Sequence, residues 1–319
     1  MEKPIELYLI SGFLGSGKTT FLRNMLIQSK KERIGVIVNE FGNIGIDGKI
    51  ISQKDIKLVE INNGSIFCAC LKGGFVKTLA AFLEQPIDCL YVEASGMADP
   101  SSINKLLEEL PAIVKRKNNI DRNYEYKGGI CIVDAKRFLK ISQVIVAAKN
   151  QVEKSDFLVV NKIDQVLPED IQKVHESLEQ IHPGAYIYDT SYAEVPIEVM
   201  RKYVIPIARD YESVNLPTNR LYSCTLSLTN DYKPEKMVEF IKLINKNLIR
   251  AKGFFKFKDI LYHLECVTED IEIEEFSKEE ENISDLCIVI IGKNEMDLEE
   301  EIKAMWNKVF ETDLPLLIE

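Results

Sequence analysis

The sequence predicts an α/β domain built on a mostly parallel sheet flanked by helices, followed by a small α+β domain. Three observations predict it. Short apolar runs, each closed by polar or turn residues, recur along the first two-thirds of the chain with helical patterns between them. Strands buried on both faces of a parallel sheet read this way. Gly12-Phe-Leu-Gly-Ser-Gly-Lys-Thr19 fits the phosphate-binding pattern GxxxxGK[ST], between a strand-like run and a helical one. After Ser213-Val-Asn-Leu-Pro-Thr218 the rhythm changes to alternating strands and a hairpin. The expected domains are residues 1–214 and 215–319.

The elements follow in order. Ile5-Glu-Leu-Tyr-Leu-Ile10 is a short buried strand leading into the glycine loop. Thr19 to Gln28 places Phe21, Leu22, Met25 and Leu26 at helical spacing. Further strands are expected at Ile34 to Val38, Asp88 to Val92, Gly129 to Val133 and Phe157 to Val160, with helices over Ile103 to Leu110 and Ile141 to Gln151. Such a sheet carries its ligand site at the C-terminal ends of the strands. In the second domain, Leu221 to Thr229 alternates like a strand, and Pro234 to Asn247 reads as a helix with proline near its start. Phe254 to Val267 reads as a hairpin, Leu286 to Ile291 as a strand and Glu295 to Phe310 as an amphipathic helix. The acidic stretch Glu265 to Glu281 reads as solvated surface.

A hydrophobic fraction of 46% supports packed cores and excludes a disordered chain. The net charge of −10 argues against broad nucleic-acid affinity, which needs phosphate-neutralising Lys and Arg. The one basic cluster, Lys115-Arg-Lys117, sits in a polar stretch and reads as a solvated loop. No long apolar run predicts a membrane span, and no apolar segment before the glycine loop predicts a signal peptide. Seven scattered cysteines fit a reducing cytoplasm.

The glycine loop is a device for holding a nucleoside triphosphate. Gly12, Gly15 and Gly17 let the backbone turn tightly and aim its N–H groups at phosphate oxygens. Lys18 adds a positive charge near the β- and γ-phosphates, and the Thr19 hydroxyl can complete the coordination of Mg2+. The following helix presents its positive end to the same anion. Asn161-Lys-Ile-Asp164 follows the strand 157–160. The Asp164 carboxylate can accept two hydrogen bonds from the N1 and N2 groups of guanine, donors that adenine lacks. Asn161 can support the base, and the stem of Lys162 can lie across its face. Within Val92-Glu-Ala-Ser-Gly-Met-Ala-Asp-Pro100, Glu93 is placed to approach Mg2+ directly or through water, and Gly96 is small enough to lie near a γ-phosphate. Val38-Asn-Glu-Phe-Gly-Asn-Ile-Gly-Ile-Asp47 is a candidate switch segment, in which Glu40 or Asp47 can reach the metal or the attacking water. Cys68 and Cys70, one residue apart, can serve a soft or borderline cation such as zinc, cobalt or copper(I). They equally read as two cysteines in a core turn. Cys89, Cys131, Cys224, Cys266 and Cys287 lie in apolar strands and read as core residues.

Together these segments resemble the CobW family of GTPases, in the same broad class as HypB and UreG. The likeness covers nearly the whole chain: Gly12 to Thr20, Val38 to Asp47, Asn63 to Cys70, Glu93 to Pro100, Asn161 to Asp164, and Leu248-Ile-Arg-Ala-Lys-Gly-Phe254 in the tail. The resemblance implies a SIMIBI-like P-loop NTPase domain that hydrolyses GTP with Mg2+. It implies Lys18, Glu93 and Asp47 as catalytic groups, and a nucleotide site formed by Gly12, Gly15, Ser16, Gly17, Lys18, Thr19, Thr20, Gly96, Asn161, Lys162 and Asp164. Hydrolysis would be coupled to delivery of a metal ion (zinc, cobalt or nickel) or a metal cofactor to a client metalloprotein or corrinoid protein, and a homodimer is compatible with it. The chain departs from the family pattern at Ser65 and Phe67, where the family has cysteines. Cys68 is retained and Cys70 lies two positions beyond, so three-thiolate coordination by this segment is excluded. Further ligands must come from elsewhere, with Glu40 a candidate. A GTP-gated factor for corrinoid proteins and a nucleotide-switched scaffold without metal cargo are the rival readings. Asp164 speaks against an ATP-using kinase.

Overall fold

A computed structural model of the chain describes residues 3–29, 32–39, 56–61, 72–96, 100, 122–206, 222–244, 246, 248–276, 286–292, 295–312 and 315–318. Glu40, Asp47, Cys68, Cys70, the helix expected over 103–110 and the basic cluster 115–117 lie outside these residues. The chain divides into two compact units, Met1–Val214 and Asn215–Glu319.

The first unit is built on seven strands: β1 (Ile5–Gly12), β2 (Ile34–Asn39), β3 (Ile56–Ile61), β4 (Cys89–Glu93), β5 (Tyr124–Asp134), β6 (Phe157–Asn161) and β7 (Tyr186–Asp189). They lie in the order β3-β2-β4-β1-β5-β6-β7, and every pairing is parallel. Parallel pairing brings all the C-terminal ends to one edge. Ile10 is in register with Glu93, Gly12 with Ile132, and Asp134 with Asn161. The chain leaves β1 toward β2 on one side and later returns to β5 on the other, so β1 borders the switch point where α/β sheets hold ligands.

Both faces of this sheet are covered, which is why its central strands are apolar runs rather than alternating ones. Helix α1 (Lys18–Gln28) buries Phe21, Leu22, Met25 and Leu26 in the same core as Tyr8, Ile10, Val36 and Tyr91. Helix α2 (Lys72–Leu83) places Phe75, Leu79 and Phe82 against Leu7, Leu9, Leu90 and Val92. On the β5–β6 side, Val133, Leu158 and Val160 pack with residues of α3 (Phe138–Val144), α4 (Val146–Glu153) and α5 (Pro168–Ile181).

The helix expected over Ile141 to Gln151 is instead two helices. Val144, Ile145 and Val146 form a β-branched run that loses side-chain freedom in a helix. Ile145 takes an extended conformation (φ −123°, ψ 106°) between α3 and α4.

The second unit is a six-stranded antiparallel sheet of β8 (Tyr222–Ser227), β9 (Leu248–Phe257), β10 (Ile260–Val267), β11 (Asp270–Phe276), β12 (Cys287–Gly292) and β13 (Leu316–Ile318). Its order is β11-β10-β9-β12-β8-β13. Helices α7 (Pro234–Leu243) and α8 (Glu295–Phe310) contribute Phe240, Ile241, Ile302 and Trp306 to its core; α6 (Ile197–Tyr203) belongs to the first unit. The hairpin read from Phe254 starts earlier, at Leu248, and turns through Lys258 and Asp259, both at positive φ. Part of the acidic stretch is the edge strand β11, whose exposed Glu272, Glu274 and Glu275 charge that edge against further pairing.

Candidate nucleotide site

The glycine loop lies at the C-terminal edge of β1, and its glycines are dictated by neighbours. Gly12 has φ +136°, and a Cβ there would stand 2.3 Å from the Ile132 carbonyl oxygen on β5. Gly17 has φ +106°, and a Cβ there would stand 2.5 Å from Asn161 Nδ2. Gly17 caps α1 without a side-chain hydrogen bond, and the first turn of α1 holds no acidic residue. The helix N-terminus therefore presents its amides and positive end with no acidic residue of its own first turn to neutralise them.

Lys18 is buried and donates from Nζ to the Phe13 carbonyl, 3.2 Å away. This folds the amine back over the loop. Ser16 is also buried, and its Oγ has no hydrogen-bond partner among the described residues. Thr19 Oγ1 donates to Glu93 Oε1 at 2.9 Å, and Glu93 is buried at the end of β4. A hydroxyl and a buried carboxylate held this close make an all-oxygen donor pair that suits a small hard cation such as Mg2+.

Asn161 ends β6 and is 2% exposed. Its Nδ2 donates to the Ser16 carbonyl at 2.9 Å, and its Oδ1 accepts from the Ala193 amide at 2.8 Å. Both hydrogen-bonding atoms of the amide are thus taken by the protein: it fastens the glycine loop to the loop after β7. Lys162 adopts a left-handed conformation (φ 64°), and its Nζ donates to the Gly15 carbonyl at 2.7 Å. The same ammonium sits 2.8 Å from Asp134 Oδ2. Both ends of the Lys162 stem are therefore fixed. Asp164 lies exposed in the single 3-10 turn Ile163–Gln165 that follows. Gly96 is packed so closely on the glycine loop that a Cβ would meet the Leu14 amide nitrogen at 2.8 Å.

Several contributors escape the motif reading. Asp134 ends β5, pairs with Lys162 and accepts from the amides of Lys136 and Arg137 at the start of α3. Its signal is a carboxylate closing an apolar strand-like run, the same placement as Asn161. Asn24 on α1 donates to the carbonyls of Tyr192 and Ala193 at 3.0 and 3.1 Å. Gln28 bonds Val195 O and Ile197 N, both at 2.9 Å, tying that loop further to α1. Gln151 of α4 is buried and donates to the Gly96 carbonyl at 3.1 Å. Its only signal is a polar residue at a helix position where the pattern calls for a core one.

The cysteines of the described residues behave as core. Cys89, Cys131, Cys224, Cys266 and Cys287 are buried. Burial pushes the Cys131 and Cys224 thiols up to about 12, so neither is a thiolate at neutral pH. Among the described residues, no group of three or more His, Cys, Asp or Glu side chains is placed to hold a metal ion. Nor is any helix among them long and apolar enough to cross a membrane.

A glycine loop bonded to an Asn-Lys-x-Asp turn at the edge of a parallel sheet is a purine-nucleotide arrangement, and the family model of the CobW/HypB/UreG nucleotide-binding domain matches residues 6–189. The chain belongs to the CobW/HypB/UreG family. A second model, the cobalamin synthesis protein cobW C-terminal domain, matches residues 221–310, so the CobW likeness extends into the second unit. Among CobW-type relatives, the zinc chaperone YjiA of Escherichia coli is 29% identical over 202 residues, covering 62% of this chain and 61% of YjiA. The zinc-regulated GTPase metalloprotein activator 1 of Saccharomyces cerevisiae is 26% identical, covering 62% of this chain and 50% of that protein. The zinc chaperone CobW of Pseudomonas aeruginosa is 28% identical, covering 60% and 58%. These alignments span about half to three-fifths of the relatives' own lengths. The crystal structure of Zn(II)-bound YjiA GTPase from Escherichia coli aligns with 97% of this chain and 99% of that one, at 21% identity and a TM-score of 0.46. HypB from Helicobacter pylori in complex with nickel covers 63% and 82%, at 17% identity and a TM-score of 0.42.

Proposed function

We propose that this chain is a GTP-hydrolysing metal chaperone of the CobW type, converting GTP and water to GDP and phosphate while handing a transition metal to a client protein. The observation that carries the nucleotide half is the Asn161 side chain. It bonds Ser16 of the glycine loop and is followed by the fixed Lys162 and the exposed Asp164. Asp164 would accept from the guanine edge, and the Lys162 stem would support the base. The amides of Gly15 to Thr19, with Lys18, would hold the phosphates and stabilise charge that builds on them. Thr19 and Glu93 would hold Mg2+, which when bound neutralises charge between the β- and γ-phosphates. Gly96 would border the γ-phosphate. Glu40 and Asp47 are proposed to position water or metal from the segment after β2. The chain is proposed to act in the cytoplasm.

The metal half rests on Cys68 and Cys70 and on the relatives, whose names speak of zinc. Zinc is the proposed cargo, held by these two thiolates with further oxygen or nitrogen ligands. The register supports coupling between cargo and nucleotide: Val38 pairs with Glu93, and Asn39 with Ile61. The segments carrying Glu40 and Cys68 thus leave the sheet at the edge where Glu93 lies. Titrating Zn2+ into the protein loaded with a non-hydrolysable GTP analogue, with GDP, or with neither tests the coupling. Metal affinity is expected to differ between these states and to fall when both cysteines become Ser. Equal affinity in all three states would refute it, because linkage requires each ligand to change the other's affinity by one factor.

A further inference from the structure

Seven non-glycine residues have positive φ among the described residues. Lys258, Asp259 and Thr268 sit in the tight turns of the second sheet, and Glu311 follows the end of α8. Lys162 opens the turn that carries Asp164. That leaves Tyr192 (φ 55°) and Ala193 (φ 53°), adjacent to each other in the loop between β7 and α6. A left-handed conformation is unfavourable for a residue that carries a Cβ, a strain that glycine would remove.

The surroundings over-determine this strained pair. The Ala193 amide donates to Asn161 Oδ1 at 2.8 Å, and Asn24 Nδ2 donates to both carbonyls. Thr190 Oγ1 donates to Glu194 O at 2.7 Å, closing the loop across the pair. Ala193 is fully buried, yet Tyr192 is 70% exposed. The fold thus holds the backbone rigidly and leaves a large aromatic ring in solvent, on the residue next to the one whose amide Asn161 binds. Backbone strain kept for a ring with no interior packing is the mark of a functional site rather than of stability.

We propose that Tyr192 is a base-binding residue of the nucleotide site, its ring stacking on the purine so that the base lies between it and the Lys162 stem. This rests on the guanine-nucleotide reading above. Asp164 reads the edge of the base; Tyr192 supplies affinity through its face. Stacking is tolerant of which purine is present, so the ring strengthens binding and Asp164 selects.

The test is calorimetric titration of GDP and of inorganic tripolyphosphate into wild type, Tyr192→Phe and Tyr192→Gly. Glycine accepts φ 55° without strain, so Tyr192→Gly removes the ring without disturbing the loop, and its thermal midpoint without ligand is expected to match or exceed wild type. Tyr192→Phe is expected to bind GDP within about twofold of wild type. Tyr192→Gly is expected to bind it about 5- to 150-fold more weakly, the size of one base–aromatic stack. Tripolyphosphate, which has no base, is expected to bind all three alike. GDP affinity unchanged in Tyr192→Gly would overturn the inference and leave the guanine reading standing. Equal loss for GDP and tripolyphosphate would also overturn it, marking the ring as a support of the loop. A wild-type chain that binds tripolyphosphate but shows no preference for GDP would overturn both.

Discussion

Replacing Asn161 by Ala removes a side chain that does two jobs inside the first unit. Its Nδ2 satisfies the Ser16 carbonyl and its Oδ1 satisfies the Ala193 amide, at 2.9 and 2.8 Å. Ser16, Asn161 and Ala193 are all buried, so water does not replace the lost partners freely. Leaving a buried backbone donor or acceptor unsatisfied costs about 1–3 kcal/mol, and two of them place the expected loss at about 2–6 kcal/mol. Asn161→Asp keeps an acceptor for Ala193 but sets a carboxylate oxygen against the Ser16 carbonyl, so it is expected to lose at least as much. The assay is urea unfolding followed by far-UV circular dichroism, with fluorescence of Trp306, the only tryptophan and fully buried in the second unit, read in parallel. GDP affinity measured on the same variants is expected to fall with stability, since the two loops no longer share a brace. A loss below about 0.5 kcal/mol, the size of an ordinary surface substitution, would refute the bracing role.

Three further outcomes are expected. Glu93→Gln preserves an acceptor for Thr19 but removes the charge; single-turnover measurements are expected to show GTP hydrolysis slowed by about tenfold or more, and GDP binding less dependent on Mg2+. Asp164→Asn is expected to weaken GTP by about 10- to 100-fold, through loss of charge-assisted bonds, and to favour xanthosine nucleotides in competition titrations. The bidentate bond from Arg33 (2.7 and 3.0 Å) holds the Asp88 carboxyl down at about 2. A depressed carboxylate contributes stability that is complete above its unfolded value of about 3.9 and is lost as pH falls through the folded one. Acid titration of Arg33→Ala is therefore expected to show a shallower fall in stability between about pH 4 and pH 2 than wild type; both groups are well exposed, so solvent screening keeps the difference small.

The parts of the fold legible in the sequence are those where one physical rule acts alone. β1, β2, β4, β5 and β6 are buried on both faces, so each prints an apolar run. Tyr186–Asp189, the edge strand β7, is half-exposed and prints no such run. The helical period across Ile141 to Gln151 is real for burial, but a β-branched step interrupts the backbone at Ile145. At the site, glycines and motif residues are legible because phosphate and base recognition demand those chemistries. Asp134, Asn24 and Gln151 act by touching residues from elsewhere in the chain, 28, 168 or 169, and 55 positions away respectively. Spacing along the sequence carries no trace of such contacts. Tyr192 is legible only once its φ is known.

Why should a nucleotide state bear on the metal proposed for Cys68 and Cys70? The sheet offers a physical reason. Glu93 closes β4, and β4 is hydrogen-bonded to β2, which is hydrogen-bonded to β3. The chain enters the Glu40–Asp47 segment from the end of β2 and the Cys68–Cys70 segment from the end of β3, through register pairs that begin at Glu93 itself. A γ-phosphate bound near Glu93 or Gly96, as proposed, would therefore act on the same edge from which both segments leave. Coupling through such an arrangement needs no relay across the domain, only that the two segments prefer different conformations when triphosphate is bound. On the proposed reading, a two-cysteine set would suit that use: fewer thiolates hold a metal less completely, so the other ligands, with Glu40 the proposed one, would decide whether it is kept or released.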